Sequence, residues 1–362
     1  MTTTVPAGDR SAAPAADASP ARRVRVALDL LGGDAGPAVV ADAAVALAAD
    51  PVAGAGVELL LVGPADVAEP LLAERGAADL FTLVPAASAV AMDEDPVAAV
   101  RHRRDCSIRI ATGLVRSGAA DAAVSIGHTG ASLAAAAFGL DRLPGLVRPA
   151  VAVLVPTPRG ELVLLDAGGT PDATPDLLAQ FALAGAAYAR ARGVDAPRVG
   201  LLTIGTEAGK GDALRRGAAE LLATLPVDFV GGVEGGVLAR GGEVDVVVTD
   251  GFTGNVVLKA VEGAVDASLE RAAAVYADPG PARDVQQQLR AGAHAGALLL
   301  GVDGVCVVGH GASTADEVAA YVALARATVA DDVLGRTARH LAELVERRRS
   351  SVPVLGPAGS GA

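Results

Sequence analysis

Between residues 22 and 347 one pattern recurs: a short apolar run, a turn of glycine with small polar residues, then Ala, Leu and Val at helical spacing. VRVALDLLGGDAGPAVVADAAVAL is the first instance, predicting a strand that ends near Leu31 and a helix that starts at Pro37, a favoured first helical position. DAAVSIGHTGASLAAAAFGL, ELVLLDAGGTPDATPDLLAQFALAGAAYA, RVGLLTIGTEAGKGDALRRGAAELL, DVVVTDGFTGNVVLKAVEGAV and VCVVGHGASTADEVAAYVALA follow the same plan. Their spacing varies, so these are βα units and not a repeat of fixed period. VELLLVG at 57–63 and DLFTLVP at 79–85 predict further strands. Strands apolar on both faces, alternating with helices, imply an α/β/α body around a mostly parallel, doubly wound sheet. No linker interrupts 22–347, which is therefore expected to be a single domain. Residues 1–21, rich in Ala, Pro, Ser and Thr without an apolar segment, are expected to form a disordered tail, as are 348–362.

Composition sharpens this picture. An apolar content of 51% suffices for a large core, and with 2% aromatic residues and no Trp that core must be built from Val, Leu and Ala. A net charge of −12 argues against general nucleic-acid binding, which needs clustered Lys and Arg. Local clusters at Arg101, Arg103 and Arg104 and at Arg347, Arg348 and Arg349 suit solvated helix faces or an acidic partner. Cys106 and Cys306 show neither disulfide nor zinc-site spacing, and a reducing cytoplasm fits them. No apolar run reaches the ~18 residues of a membrane span, the best being ASLAAAAFGL at 131–140, so membrane contact is expected to be peripheral at most.

In such sheets ligands gather at the carboxyl ends of strands, where the six polar turns fall. Each turn feeds a helix N-terminus, whose free N–H groups and dipole favour anions, phosphate above all. The turns carry Asp34, His128, Thr129, Asp166, Glu207, Lys210, Asp250, Thr253, Asn255, His310 and Ser313. Residue scarcity marks three positions. Asn255 is the only asparagine, and Lys210 and Lys259 are the only lysines in a chain whose other basic residues are arginine. A compact ammonium and a short neutral amide each do something that guanidinium and carboxylate do not. GTEAGKG resembles a Walker A loop but is one residue short and has Gly211 in place of the magnesium-binding hydroxyl. No dinucleotide fingerprint and no G-x-S-x-G elbow is present. Neither a metal nor a cofactor is expected.

In order, LGGDAGP, RHRRDCS, SIGHTGA, VRPAVAVLVPT, LLDAGGTPD, LLTIGTEAGKG, TDGFTGNVVLKAVEG and GHGAST resemble the bacterial phosphate acyltransferases of the PlsX family over residues 24–326. The resemblance implies a three-layer α/β/α homodimer like isocitrate/isopropylmalate dehydrogenase. It implies transfer of a fatty acyl group from acyl carrier protein to inorganic phosphate, and a product used by a glycerol-3-phosphate acyltransferase in phospholipid synthesis. It also makes Lys210 and Asn255 the catalytic positions, with Gly130, Gly254 and Lys259 joining the turn residues above around the substrate. Lys259 is equally suited to a structural ion pair with Glu262.

The chemistry is compatible, because phosphate is an anionic nucleophile at neutral pH and a thiolate of pKa near ~8.5 leaves readily. The enzyme must supply an anion cradle, alignment and oxyanion donors. The chain departs from the family pattern at His128, Thr170 and Thr203, where asparagine is usual, and in GGVEGGVL at 231–238. Either hydrogen bonding is retained by other side chains, or this is a paralogue with altered substrate or lost activity. Acyl-coenzyme A is the alternative donor. ADPGPARDVQQQLRAGAHAG stands where the family carries a longer amphipathic hairpin, so weak or absent membrane association is expected.

Overall fold

The computed structural model describes residues 22–207, 209–276, 280–291 and 296–351. The tail expected at 1–21 and the segment from 352 onward lie outside them. Strands β1 (Val24–Asp29), β2 (Val57–Gly63), β3 (Thr82–Pro85), β4 (Ala122–Ser125), β5 (Ala150–Thr157), β6 (Gly160–Leu165), β7 (Arg198–Leu202), β8 (Asp228–Val233), β9 (Val246–Val248), β10 (Ala297–Leu300) and β11 (Val305–Val308) are joined among the described residues in an 11-stranded sheet. Its order is β3-β2-β1-β4-β11-β10-β5-β6-β9-β7-β8. The helices are α1 (Pro37–Ala49), α2 (Ala65–Glu74), α3 (Pro96–His102), α4 (Ser107–Arg116), α5 (Thr129–Gly139), α6 (Pro175–Ala191), α7 (Ala213–Leu222), α8 (Val237–Arg240), α9 (Gly251–Val275), α10 (Gly280–Ala291), α11 (Ala315–Ala330) and α12 (Val333–Ser351). β1 stops two residues short of the expected Leu31, because the Asp29 carboxylate accepts the Leu31 N–H at 3.1 Å and turns the chain.

Strand alternation builds two cores. In β5, Val151, Val153 and Val155 pack into one and Ala150, Ala152 and Leu154 into the other, which makes the body three-layered. With so few aromatics, close approach of small residues does the packing. α6 is buried along nearly its whole length, and a Cβ on its Gly185 would stand 2.6 Å from Val246 Cγ1.

The ladders are parallel except β10–β11, β10–β5 and β5–β6. Those antiparallel pairs sit in the middle of the sheet, so the β6-β9-β7-β8 half runs opposite to the β3-β2-β1-β4-β11 half. Register then matters. Val308, the last residue of β11, aligns with Ala297, which pairs with Val153, which pairs with Leu164. Leu165 ends β6 one row away and aligns with Val248, the end of β9. Ser125, the end of β4, aligns with Val308. The two halves are thus offset end to end, and their carboxyl edges meet at the level of Val153.

α12 runs to Ser351, four residues beyond the boundary expected at 347. Arg348 and Arg349 lie in its last turn, where cations suit the dipole, and Arg348 reaches Asp176 at 3.2 Å. α10 falls within the short polar stretch expected near 277–296, and Gln286 Nε2 donates to Asp266 Oδ1 of α9 at 2.9 Å, so a helical hairpin is present after all. Among the described residues no helix is long and apolar enough to cross a membrane.

Gly185→Val is expected to lower unfolding free energy by about 1–3 kcal/mol through overpacking, read as an earlier denaturant midpoint at unchanged slope. An unchanged midpoint would show that this contact does not set the helix–sheet distance.

Candidate functional site

Where the edges meet there is a cavity of 130 Å³. Val151 and Val153 of β5 and Ala297 of β10 form its apolar floor. Thr129 after β4, Gly309 and His310 after β11, and Ala167 and Gly168 after β6 form walls, closed by Asn255, Leu258 and Glu262 of α9. Side chains from both halves therefore face one space. Of the residues singled out in the sequence, Thr129, Asn255 and His310 line it directly.

The DGFTGN turn can be read residue by residue. Asp250 caps α9, its Oδ1 accepting the Thr253 N–H at 2.9 Å. A Cβ on Gly251 would lie 2.7 Å from Thr170 N, and one on Gly254 would lie 1.9 Å from Asp166 O, so both glycines allow backbone contact with the Asp166 turn. Thr253 Oγ1 accepts from Arg215 Nη2 at 2.8 Å. Asn255, the last residue of the motif, is exposed and borders the cavity. The turn thus holds the sole asparagine amide against the space where the edges converge.

Asp166 and Asp250 build turns with oxygens already occupied. Asp166 is fully buried, accepting Val151 N–H and Gly169 N–H at 2.9 Å each and Thr170 N–H at 2.5 Å. Burial raises its pKa, opposed by these backbone donors. Burial would raise the Asp250 carboxyl as well, but the Thr253 bonds and the Arg215 guanidinium hold it below the usual range.

Arg215 was not among the sequence candidates. It projects from α7 with little exposure, donating to Asp212 Oδ2 at 2.9 Å, to Thr249 Oγ1 at 3.3 Å, to Thr253 and to Asp250. It ties the turn after β7 to the turn after β9. The available signal was its place three residues after Asp212, the cap of α7.

Lys259 lies on the exposed side of α9, its Nζ 3.0 Å from Glu262 Oε2 and 2.6 Å from His310 Nε2. The ion pair with Glu262 therefore exists, and the same ammonium stands beside a cavity-lining imidazole. Burial lowers the His310 pKa, Lys259 lowers it further, and Glu262 and Glu317 oppose the shift.

His128 caps α5 through Nδ1, which accepts Gly130 N–H at 3.1 Å, so the proton of the neutral ring is on Nε2. Histidine here retains an acceptor role that an asparagine oxygen can serve. The buried Thr170 and Thr203 hydroxyls make no hydrogen bond among the described residues. Ser313 is buried and donates to His310 O at 2.6 Å, leaving it a loop-bracing role. Asp34 is exposed beside Gly311, whose carbonyl accepts the Asp34 N–H at 2.8 Å. Glu207 and Lys210 are exposed in the turn after β7 and do not line the cavity. No hydrogen bond or ion pair engages the Lys210 ammonium among the described residues. Lys210 and Asn255 thus follow β7 and β9, whose turns Arg215 links, and no hydrogen bond joins the two among the described residues.

This arrangement suits an anion meeting an apolar-tailed electrophile. It offers the N-terminus of α5, a free amide and an ammonium above a valine floor. A covalent cysteine route has no support here, since burial pushes the Cys306 thiol up to about 12 and raises Cys106 as well.

Arg215→Met is expected to cost about 3–5 kcal/mol, because it leaves the buried Asp250 charge unpaired. The pH dependence has a definite sign. A depressed carboxyl stabilises above its unfolded pKa of ~3.9 and loses this as pH falls through its folded value. Denaturant titrations should therefore show the wild-type advantage at neutral pH shrinking once pH drops below ~4. A pH-independent advantage would assign it to packing instead.

The description "Fatty acid synthesis protein" belongs to the family that matches residues 24–336. A phosphate acyltransferase of Heliobacterium modesticaldum is 40% identical over 338 residues, covering 89% of this chain and 99% of its own. Among solved structures, a phosphotransacetylase from Streptococcus pyogenes aligns with a TM-score of 0.56 at 18% identity, covering 85% of this chain and 94% of its own. A 4-hydroxythreonine-4-phosphate dehydrogenase from Klebsiella pneumoniae aligns with a TM-score of 0.50 at 15% identity, over 84% and 99%. Identities that low establish a common α/β fold and nothing more. The family match and the identity over nearly the whole body settle the rest: the chain belongs to the PlsX family of phosphate acyltransferases, enzymes that transfer an acyl group to phosphate.

Proposed function

We propose that this chain makes acyl phosphate from inorganic phosphate and a fatty acyl thioester carried by acyl carrier protein, as a cytoplasmic homodimer that feeds phospholipid synthesis. The observation that carries the reading is the cavity between the two carboxyl edges, with Asn255 and Thr129 on its wall and Lys259 on its rim. Phosphate would be held there by the N-terminus of α5 and by the amide. One phosphate oxygen attacks the thioester carbonyl, forming a C–O bond; the oxyanion collapses, the C–S bond breaks, and the thiolate takes a proton from water.

In this reading Asn255 orients phosphate or donates to the oxyanion, and Lys210 approaches from the adjoining turn to balance charge. A second space of 260 Å³, lined in part by Val265, Leu269, Leu289 and Tyr321, shares Glu262 and His310 with the first. It gives the donor's chain a route along α9. The product, an energy-rich mixed anhydride, suits consumption by an acyl-phosphate-dependent glycerol-3-phosphate acyltransferase.

Acyl phosphate formed from palmitoyl-acyl carrier protein and phosphate, trapped as the hydroxamate with hydroxylamine, tests this. Lys210→Ala and Asn255→Ala are each expected to lower the rate by ~10²–10³ in folded protein, the loss typical of an oxyanion donor. Wild-type rates in both variants would remove them from the chemistry. Folded wild type inert with both acyl carrier protein and coenzyme A thioesters would leave a ligand-binding paralogue.

A further inference from the structure

The turns of the first half converge on a buried carboxylate. Asp29, the last residue of β1, is 2% exposed. One of its oxygens accepts the Leu31 N–H at 3.1 Å, and the other accepts the Ser125 hydroxyl at 2.8 Å. Ser125, the last residue of β4, is 1% exposed, and its oxygen accepts the Gly127 N–H at 3.2 Å. Directly above this pair the two turns touch through backbone: a Cβ on Gly32 would stand 2.5 Å from Gly127 N. The third turn hangs from the same place. Gly309 N–H donates to Ser125 O at 2.9 Å, and Asp34 N–H donates to Gly311 O at 2.8 Å.

Thr129 follows this clamp by two residues from Gly127, and Gly309 and His310 belong to the third turn, so the clamp sets one wall of the cavity. We propose that Asp29, acting through Ser125, is a positioning residue for the phosphate site, fixing the Gly127–Thr129 turn and the N-terminus of α5 against the bound anion. The proposal rests on the phosphate-transfer reading above and names what holds its anion cradle in place. Two acceptor oxygens are required. An asparagine could still take the Leu31 N–H, but its NH₂ would face the Ser125 hydroxyl and leave the hydroxyl proton without an acceptor. Burial raises the Asp29 pKa, opposed by the nearby Ser107 and Ser125 hydroxyls and by the Leu31 N–H.

The test is Asp29→Asn, Ser125→Ala and the double variant in the full chain. Phosphate affinity is read by calorimetry, and KM for phosphate and for acyl-acyl carrier protein by hydroxylamine trapping. Misplacing the turn should raise the phosphate KM and Kd about tenfold to a hundredfold, with the acyl-donor KM unchanged. The double variant should lose no more than the worse single, since both changes cut one path. Ser125→Ala, the smaller lesion, carries the test if Asp29→Asn does not fold. Wild-type phosphate KM and Kd in folded variants would overturn the proposal. So would an equal rise in both KM values, which marks a general structural role. A wild type that binds phosphate but forms no acyl phosphate would instead sink the transfer reading, with the calorimetric comparison still deciding the role of Asp29.

Discussion

Reversal of strand direction in the middle of the sheet is the constraint on which the site depends. Ordinary doubly wound sheets put every loop after a strand on one edge. Here β5 and β10 turn the second half around, and the pairing of Val308, Ala297, Val153 and Leu164 slides the halves apart until their carboxyl edges face each other. A shift of one residue would flip the side chains of β5 to the opposite face and remove Val151 and Val153 from the cavity floor. Register is held by apolar side chains on both faces of β5, so the same packing that stabilises the fold places the chemistry.

Each half then organises its turns around buried acceptors. In the second half Asp166 gathers N–H groups from its own turn and from β5, and Gly251 and Gly254 press against that turn without side chains to keep them off. Arg215 locks the neighbouring turn to the same framework. The exposed Asn255 amide and the Lys259 ammonium, which pairs with Glu262 beside His310, bond no backbone group among the described residues and can meet a ligand. Such a division suits transfer to phosphate, where the reactants bring their own reactivity and the protein contributes alignment and charge balance.

Much of this was legible in the amino-acid sequence, for identifiable reasons. Apolar runs ended by Gly-rich turns announced the βα units, and scarcity singled out Asn255, which lines the cavity, Lys259, which stands at its edge, and Lys210, which lies outside its lining. The central reversal was not legible, because β5 and β10 are as continuously apolar as parallel strands and periodicity carries no direction. Nor could spacing separate carboxylates that shape a turn from those that face a ligand: Asp166 and Asp250 looked like binding residues, and only burial and bonded partners reveal their occupied oxygens. Arg215 was hidden among many arginines, since its partners are some 35 residues away in sequence. The helix over 348–351 was placed in the tail because Ser350, Ser351 and the Gly- and Pro-rich residues after them carry no helical pattern, although the arginine run itself suited a helix face.

The central claim is that one anion site forms where the two carboxyl edges meet. A crystal structure of the protein with phosphate bound addresses it most directly. The account predicts phosphate between Thr129 and Asn255, above Val151 and Val153 and within reach of the Gly309–His310 turn. Phosphate seated on one half alone, away from Asn255, would contradict it.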